Sequence, residues 1–171
     1  VYANENYGCL SSSPYLTGMG IREIEKFYSF FTECKVQKGK LLEIASFDGY
    51  LLKKILDDDW DAYGCDPSPL SDLAIKNLGD DRITRSFFKK DLFPSESFDV
   101  IIFRNLLEHL YDLHEFLEAI SACLKPGGRI FIDVPNIEAI LDIGGLGTFF
   151  HQHVSYFSLQ TLSTLLDLHD F

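Results

Sequence analysis

Apolar positions along the chain switch between two periods, and the switching predicts alternating strands and helices. Ile21, Ile24, Phe27, Tyr28 and Phe31 recur at helical spacing, which predicts an amphipathic helix from about Ile21 to Cys34, with a break at Gly39. Lys40 to Ala45 is a short apolar run leading into the turn Ser46-Phe47-Asp48-Gly49, and Tyr50 to Leu56 follows as a helix. Trp60 to Cys65 predicts a second strand ending at Asp66-Pro67, and Leu70 to Leu78 a helix closed by Gly79. Ile83 to Phe88 carries a weaker strand pattern, whereas Phe98 to Phe103 is a continuous apolar run typical of a strand covered on both faces. Leu107, Leu110, Leu113, Leu117, Ile120 and Leu124 then predict one long helix from about Leu106 to Leu124. Lys125-Pro126-Gly127-Gly128 stops it before a strand from Arg129 to Val134. Ser158 is placed to cap a last helix carrying Leu159, Leu162, Leu165 and Leu166. Residues 1–18, small and polar with interspersed tyrosines, predict an extended arm.

This alternation implies an α/β fold with a doubly wound, mostly parallel sheet and right-handed crossovers. Residues 1–38 form an arm and helix in front of a sheet domain at 39–171. Ligands of such sheets bind beyond the carboxyl ends of the strands, so the candidates are the residues just after each strand. Ser46, Asp48 and Gly49 offer a turn whose backbone N–H groups face a ligand, and Asp66 is placed to accept hydrogen bonds from a ribose diol. The plainer readings are that Asp48 caps the following helix and that Asp66 forms the turn before Pro67. Glu43 lies inside the first strand, where a carboxylate is costly unless it orients the turn or meets a cation.

Length and charge narrow the function classes. A chain of 171 residues is one domain with a substantial core, and 46% hydrophobic against 24% charged residues excludes wholesale disorder. No apolar run approaches the ~20 residues that cross a bilayer. The net charge of −11 repels phosphate backbones and anionic membranes, so neither nucleic acid nor a lipid surface is expected as a partner. Cys9, Cys34, Cys65 and Cys123 are scattered, without metal-ligand spacing, which predicts reduced thiols, a cytoplasmic location and no zinc module. His151 and His153 would share one face of a strand, but no further ligand accompanies them and no metal is expected. The 15 Phe and 8 Tyr are mostly core material, with Phe149, Phe150 and Tyr156 available to wall a substrate pocket.

The motifs together resemble class I S-adenosylmethionine-dependent methyltransferases. The resemblance rests on residues 41–49, Gly64-Cys65-Asp66-Pro67-Ser68, Phe98-Asp99-Val100-Ile101-Ile102, Leu107-Glu108-His109 and Leu124-Lys125-Pro126-Gly127-Gly128, spanning about residues 40 to 136. A narrower set is similar to C-methyltransferases of nucleotide-linked keto-deoxysugars. It comprises Tyr7 with Ser11-Ser12-Ser13, Glu43-Ile44 with Ser46 and Asp48-Gly49, Asp66-Pro67-Ser68, Phe87-Phe88, Asn105 with Glu108-His109, and His151-Gln152-His153-Val154-Ser155-Tyr156-Phe157-Ser158. That family carries Tyr-His-Glu-His where this chain has Phe150-His151-Gln152-His153, and glycine where it has Ala45. Phe47 replaces a small polar residue, and Cys9 stands where a second tyrosine of the arm is usual. The family's zinc-binding domain and closing antiparallel strands have no counterpart in these residues, so the sequence, starting at Val1, is expected to be a fragment or the ordered part of a longer chain.

The resemblance implies S-adenosylmethionine as cofactor, held by Glu43, Ala45, Ser46, Asp48, Gly49, Asp66, Pro67, Ser68, Phe103 and Asn105. It implies a small-molecule acceptor, nucleotide-linked in the narrower family. Carbon must be deprotonated before it accepts a methyl group, so C-methylation needs a base and a stabilised enolate. His153 matches the family's last histidine and takes the role of base, and His109 that of donor to the enolate oxygen. Two alternatives stand beside this reading: methyl transfer to oxygen or nitrogen, and a non-catalytic protein of the same fold.

Overall fold

The computed structural model describes residues 13–18, 20–145, 147, 149 and 151–171. The expectations placed on residues 1–12 and on Phe150, including Tyr7, Cys9, Ser11 and Ser12, fall outside the described residues. Five parallel strands are ordered β3-β2-β1-β4-β5, with β1 Lys40–Ile44, β2 Asp61–Cys65, β3 Ile83–Thr84, β4 Phe98–Arg104 and β5 Leu124–Asp133. The order reverses between β1 and β4, which makes their carboxyl ends the switch point where a crevice opens.

Side chains alternate across the sheet and divide the core in two. On one face Leu41, Val100 and Ile102 pack with Phe27 and Phe31 of α2 (Ile21–Glu33), Leu51, Leu52 and Ile55 of α3 (Tyr50–Asp57) and Ala74 of α4 (Ser71–Leu78). On the other face Leu42, Ile101 and Phe103 meet Phe116, Leu117 and Ile120 of α5 (Leu113–Cys123). Strict period two in β4 explains why Val100 and Ile102 belong to one cluster and Ile101 and Phe103 to the other. No described helix is long and apolar enough to cross a membrane.

Four expectations change. The arm contains a helical turn, α1 (Pro14–Thr17), because the Ser13 hydroxyl accepts the Leu16 N–H and Pro14 presets the first helical position. The third strand stops at Thr84, where Ser86 N–H turns back onto the Thr84 carbonyl and Arg85 leaves to pair with Asp72 at 2.7 Å. The predicted helix over Leu106–Leu124 is two elements, a 3-10 turn at Leu107–His109 and α5. Leu110 is extended between them, and the Asp112 carboxylate accepts the Glu115 N–H at 2.8 Å to start α5 afresh. The last strand begins at Leu124 rather than Arg129. Leu124 pairs with Phe98 and Arg129 with Val100, so residues 125–128 bulge between them while Lys125 holds Asp99.

Beyond β5, α6 (Ile137–Asp142) begins at Asn136, and α7 (Leu159–Asp167) begins at Ser158 with a full capping box to Thr161. Asn136 bridges Phe157, which returns the tail to the mouth of the sheet.

Candidate active site

A cavity of about 460 Å³ opens at the carboxyl ends of β1, β2 and β4. Its floor is the turn after β1, whose backbone is unusual. Ala45, Phe47 and Gly49 take φ of 58°, 54° and 78°, so three alternate residues are left-handed. Only glycine adopts this region without strain. At Gly49 a side chain would also strike Leu78 and Ala74 at 2.9 and 3.0 Å, and at Gly64 it would strike the Ser46 hydroxyl at 2.6 Å. The two glycines let α4 and β2 press the turn into shape.

Two buried aspartates hold that shape through backbone amides. Asp66 accepts the Phe47 N–H at 3.0 Å and the Ser68 N–H at 2.8 Å, and so joins the turns after β1 and β2. Asp48 accepts the Tyr50 N–H at 3.1 Å with one oxygen. With the other it accepts the Ser13 hydroxyl at 2.6 Å and the Tyr15 N–H at 3.1 Å. Gly49 is the N-cap of α3, so Asp48 is not the cap its plainer reading held; it sits one residue earlier, holds the Tyr50 N–H, and also ties α1 across the cavity rim. Asp66 likewise makes a turn, and it retains acceptor capacity toward the cavity.

Glu43 behaves differently. It is buried, one carboxylate oxygen has no hydrogen-bond partner, and desolvation pushes its pKa up to about 8 despite the nearby Arg104 guanidinium. It is therefore a neutral acid at pH 7. The Ser46 and Ser68 hydroxyls and the buried Tyr15 phenol are also without hydrogen-bond partners. Arg104 is the single basic residue among the described lining residues; its Nε donates to Asp133 at 3.0 Å, and its guanidinium lies 4.9 Å from the Phe27 ring centre. The rest of the lining includes Phe87, Phe88, Leu106 and Leu110.

Of the residues expected to hold a cofactor, Glu43, Ala45, Ser46, Asp48, Asp66, Pro67, Ser68 and Asn105 line this cavity together. Gly49 and Phe103 are not among the lining residues: Gly49 starts α3, and Phe103 is fully buried against Phe116 with ring centres 5.3 Å apart. Arg104, one of the strand-end candidates, and Phe87 and Phe88 of the narrower motif set were not assigned to the cofactor from the sequence, yet they line the cavity. Arg104 carried a signal, since it directly ends β4.

The two candidate histidines form a second cluster beside the cavity rather than in its lining. Their imidazole centres are 4.7 Å apart, edge to face. The His109 Nδ1 donates to the Gln152 carbonyl at 2.8 Å, which leaves Nε2 as the acceptor of the neutral ring. Burial holds the His109 pKa below the ordinary histidine value. The Glu108 carbonyl accepts the Val154 and Ser155 N–H groups, pinning the tail on the 3-10 turn. Pinned in this way, residues 151 and 152 make a turn, and His151 is exposed, so the strand that would have paired His151 with His153 is absent. Glu108, His109 and His153 instead present side-chain ligand atoms all within 4.8 Å of one another.

The chain is similar to known proteins. A family described as a methyltransferase domain matches residues 17–171. The C-methyltransferase NovU of Streptomyces niveus is 42% identical over 66 residues, which is 39% of this chain and 16% of that protein. The mitochondrial ubiquinone biosynthesis O-methyltransferase of Homo sapiens is 32% identical over 85 residues, 43% of this chain and 22% of that protein. The aligned stretches are thus a small part of both relatives. A Methanococcus maripaludis structure described as an S-adenosylmethionine-dependent methyltransferase superposes with a TM-score of 0.70 at 18% identity, covering 96% of this chain and 86% of its own. That likeness is one of fold.

Proposed function

The chain belongs to the methyltransferase-domain family, and from that premise we propose that it methylates, from S-adenosylmethionine, a carbon next to a ketone in a small sugar-like acceptor, with His153 as base. The observation that carries the reading is the strand-end cavity with unsatisfied polar groups, set beside a pair of histidines of which His109 is buried and His153 half-buried. About 460 Å³ falls within the usual range for a small-molecule site. The partnerless Glu43, Ser46 and Ser68 oxygens are suited to a ligand rich in hydroxyl and amino groups. Glu23, Asp48 and Asp66 against Arg104 favour a cationic ligand that also carries one carboxylate. S-adenosylmethionine meets that description. Asp66 and Ser68 would hold its ribose side, Ala45 to Asp48 and Arg104 its amino-acid end, and Phe87 and Phe88 its apolar face.

Bound there, this cofactor supplies an electrophilic methyl group on a sulfonium whose sulfur departs as a neutral thioether. The chain's own task is then alignment and proton removal. His153 takes the proton from the acceptor carbon, while His109, whose Nδ1–H is committed to the Gln152 carbonyl and so cannot donate to the enolate oxygen as the sequence suggested, braces the His153 ring edge to face. Phe149 and Tyr156, whose rings lie 4.9 Å apart next to His153, would wall the acceptor.

The test is solvent-deuterium exchange at the carbon next to the ketone of a nucleoside-diphosphate-linked keto-deoxysugar. The protein should accelerate exchange, and His153→Ala should abolish the acceleration. Exchange that ignores His153→Ala removes the base role. The likeness to an O-methyltransferase supports a second reading, an oxygen acceptor. Methyl transfer without carbon-bound deuterium would favour it.

A further inference from the structure

Glu108 is the one member of the histidine cluster without a role so far. It lies in the middle of the 3-10 turn that follows β4 and is only 2% exposed. Its Oε1 lies 3.8 Å from His109 Nε2, and its Oε2 has no hydrogen-bond partner. A buried carboxyl group left half-satisfied is expensive to keep unless something uses it. Gln152, which occupies the motif position of a glutamate in the related signature, cannot ionise. Glu108 does ionise, and one of its oxygens lies within 4.8 Å of a ring nitrogen of each histidine.

We propose that Glu108 is the counter-charge of the His109–His153 pair, a positioning residue that ionises when the pair takes up a proton and so keeps the buried cluster neutral. The proposal deepens the reading of His153 as base and rests on it. When His153 takes a proton from the acceptor, the C–H bond breaks, its electron pair stays on the acceptor as the enolate, and the imidazole becomes a cation. While the enolate persists it balances this charge, but once its carbon has taken the methyl group and the ketone is restored, the imidazolium stands alone, which is costly away from water without an anion nearby. Glu108 then supplies that anion as its own proton leaves for solvent. Burial, with the Asp133 carboxylate adding to it, pushes its pKa up to about 7, well above the ordinary carboxylate range. Among the described residues, the Gln152 carbonyl on His109 and the Tyr156 ring at 5.9 Å from His153 also face the cluster.

Histidine titration by long-range proton–nitrogen NMR on the full chain tests this without any acceptor. Glu108→Gln should lower the apparent pKa of the His109–His153 pair by about one unit, a tenfold loss of proton affinity. Glu108→Asp should restore part of it. The separate His114–His169 pair, in contact at 2.8 Å, should titrate unchanged and thereby report an intact fold. Superimposable curves for His109 and His153 in wild type and Glu108→Gln would overturn the proposal. Should Glu108→Gln fail to fold, the carboxyl carbon of Glu108 in wild type decides. A titration step shared with the histidines supports the coupling, and a simple curve with no such step overturns it. Tight uptake of one Zn²⁺ per chain, lost in Glu108→Gln, would also overturn it by making Glu108 a metal ligand. Because these readouts need no acceptor, a failure of the C-methylation reading would appear separately, as deuterium exchange indifferent to His153→Ala.

Discussion

The two halves of the site are built on different principles. Around the turn after β1, charged side chains are consumed by backbone: Asp48 and Asp66 each accept main-chain N–H groups, and the turn they hold carries three left-handed residues. At the histidine cluster the backbone only fastens the tail, through Val154 and Ser155, and the titratable groups face one another. The first half fixes a shape, and the second stores a proton equilibrium. Shape requires occupied carboxylates, whereas proton transfer requires groups whose partners are themselves ionisable.

If that contrast is sound, substitutions should separate by what they disturb. The largest effect is expected from His153→Ala, which should slow methyl transfer by roughly 10²- to 10⁴-fold while cofactor binding stays as in wild type. Next comes Asp48→Ala. It strands the Ser13 hydroxyl and two N–H groups and should lower stability by about 3 kcal/mol in urea unfolding, leaving the histidine titrations in place.

Glu43→Gln should act through pH. The Glu43 pKa is raised in the folded state, to about 8, so between the ordinary carboxylate value and pH 8 the folded chain holds a proton that the unfolded chain has released. Stability from this group is thus full at low pH and falls as pH rises toward 8. Glu43→Gln should remove that decline, with a gain on the order of a few kcal/mol at pH 8 and little change at pH 4, read as melting temperature. The smallest effect belongs to Ala45→Gly. Relief of the strain at φ 58° should add about 0.5–1 kcal/mol. A destabilised Ala45→Gly would mean that the turn is not under the strain assigned to it.

Much of the first half was legible in the sequence because short-range patterns encode it. The apolar run of β4, the Ser158 cap of α7 and the acids after β1 and β2 each sit where local chemistry puts them. The long helix over Leu106–Leu124 misled for a physical reason. Leucines at 107, 110, 113 and 117 keep helical spacing across the extended Leu110, so periodicity alone does not register the break. Asp112 followed by Glu115 was the available signal, an N-terminal capping pattern inside the run. That break sharpens the second half of the site, since it seats Glu108 and His109 under the tail. The meeting of Glu108 with His153 joins residues 45 positions apart, which no spacing rule reaches.

The central claim is that the turns after β1 and β2 form a cofactor site, and calorimetric titration with S-adenosylmethionine tests it most directly. The account predicts binding of one equivalent to the wild-type chain and an affinity about tenfold or more weaker in Asp66→Ala, in which the Phe47 and Ser68 amides lose their acceptor. Absence of binding to the wild-type chain at millimolar cofactor, or equal affinity in Asp66→Ala, would contradict it.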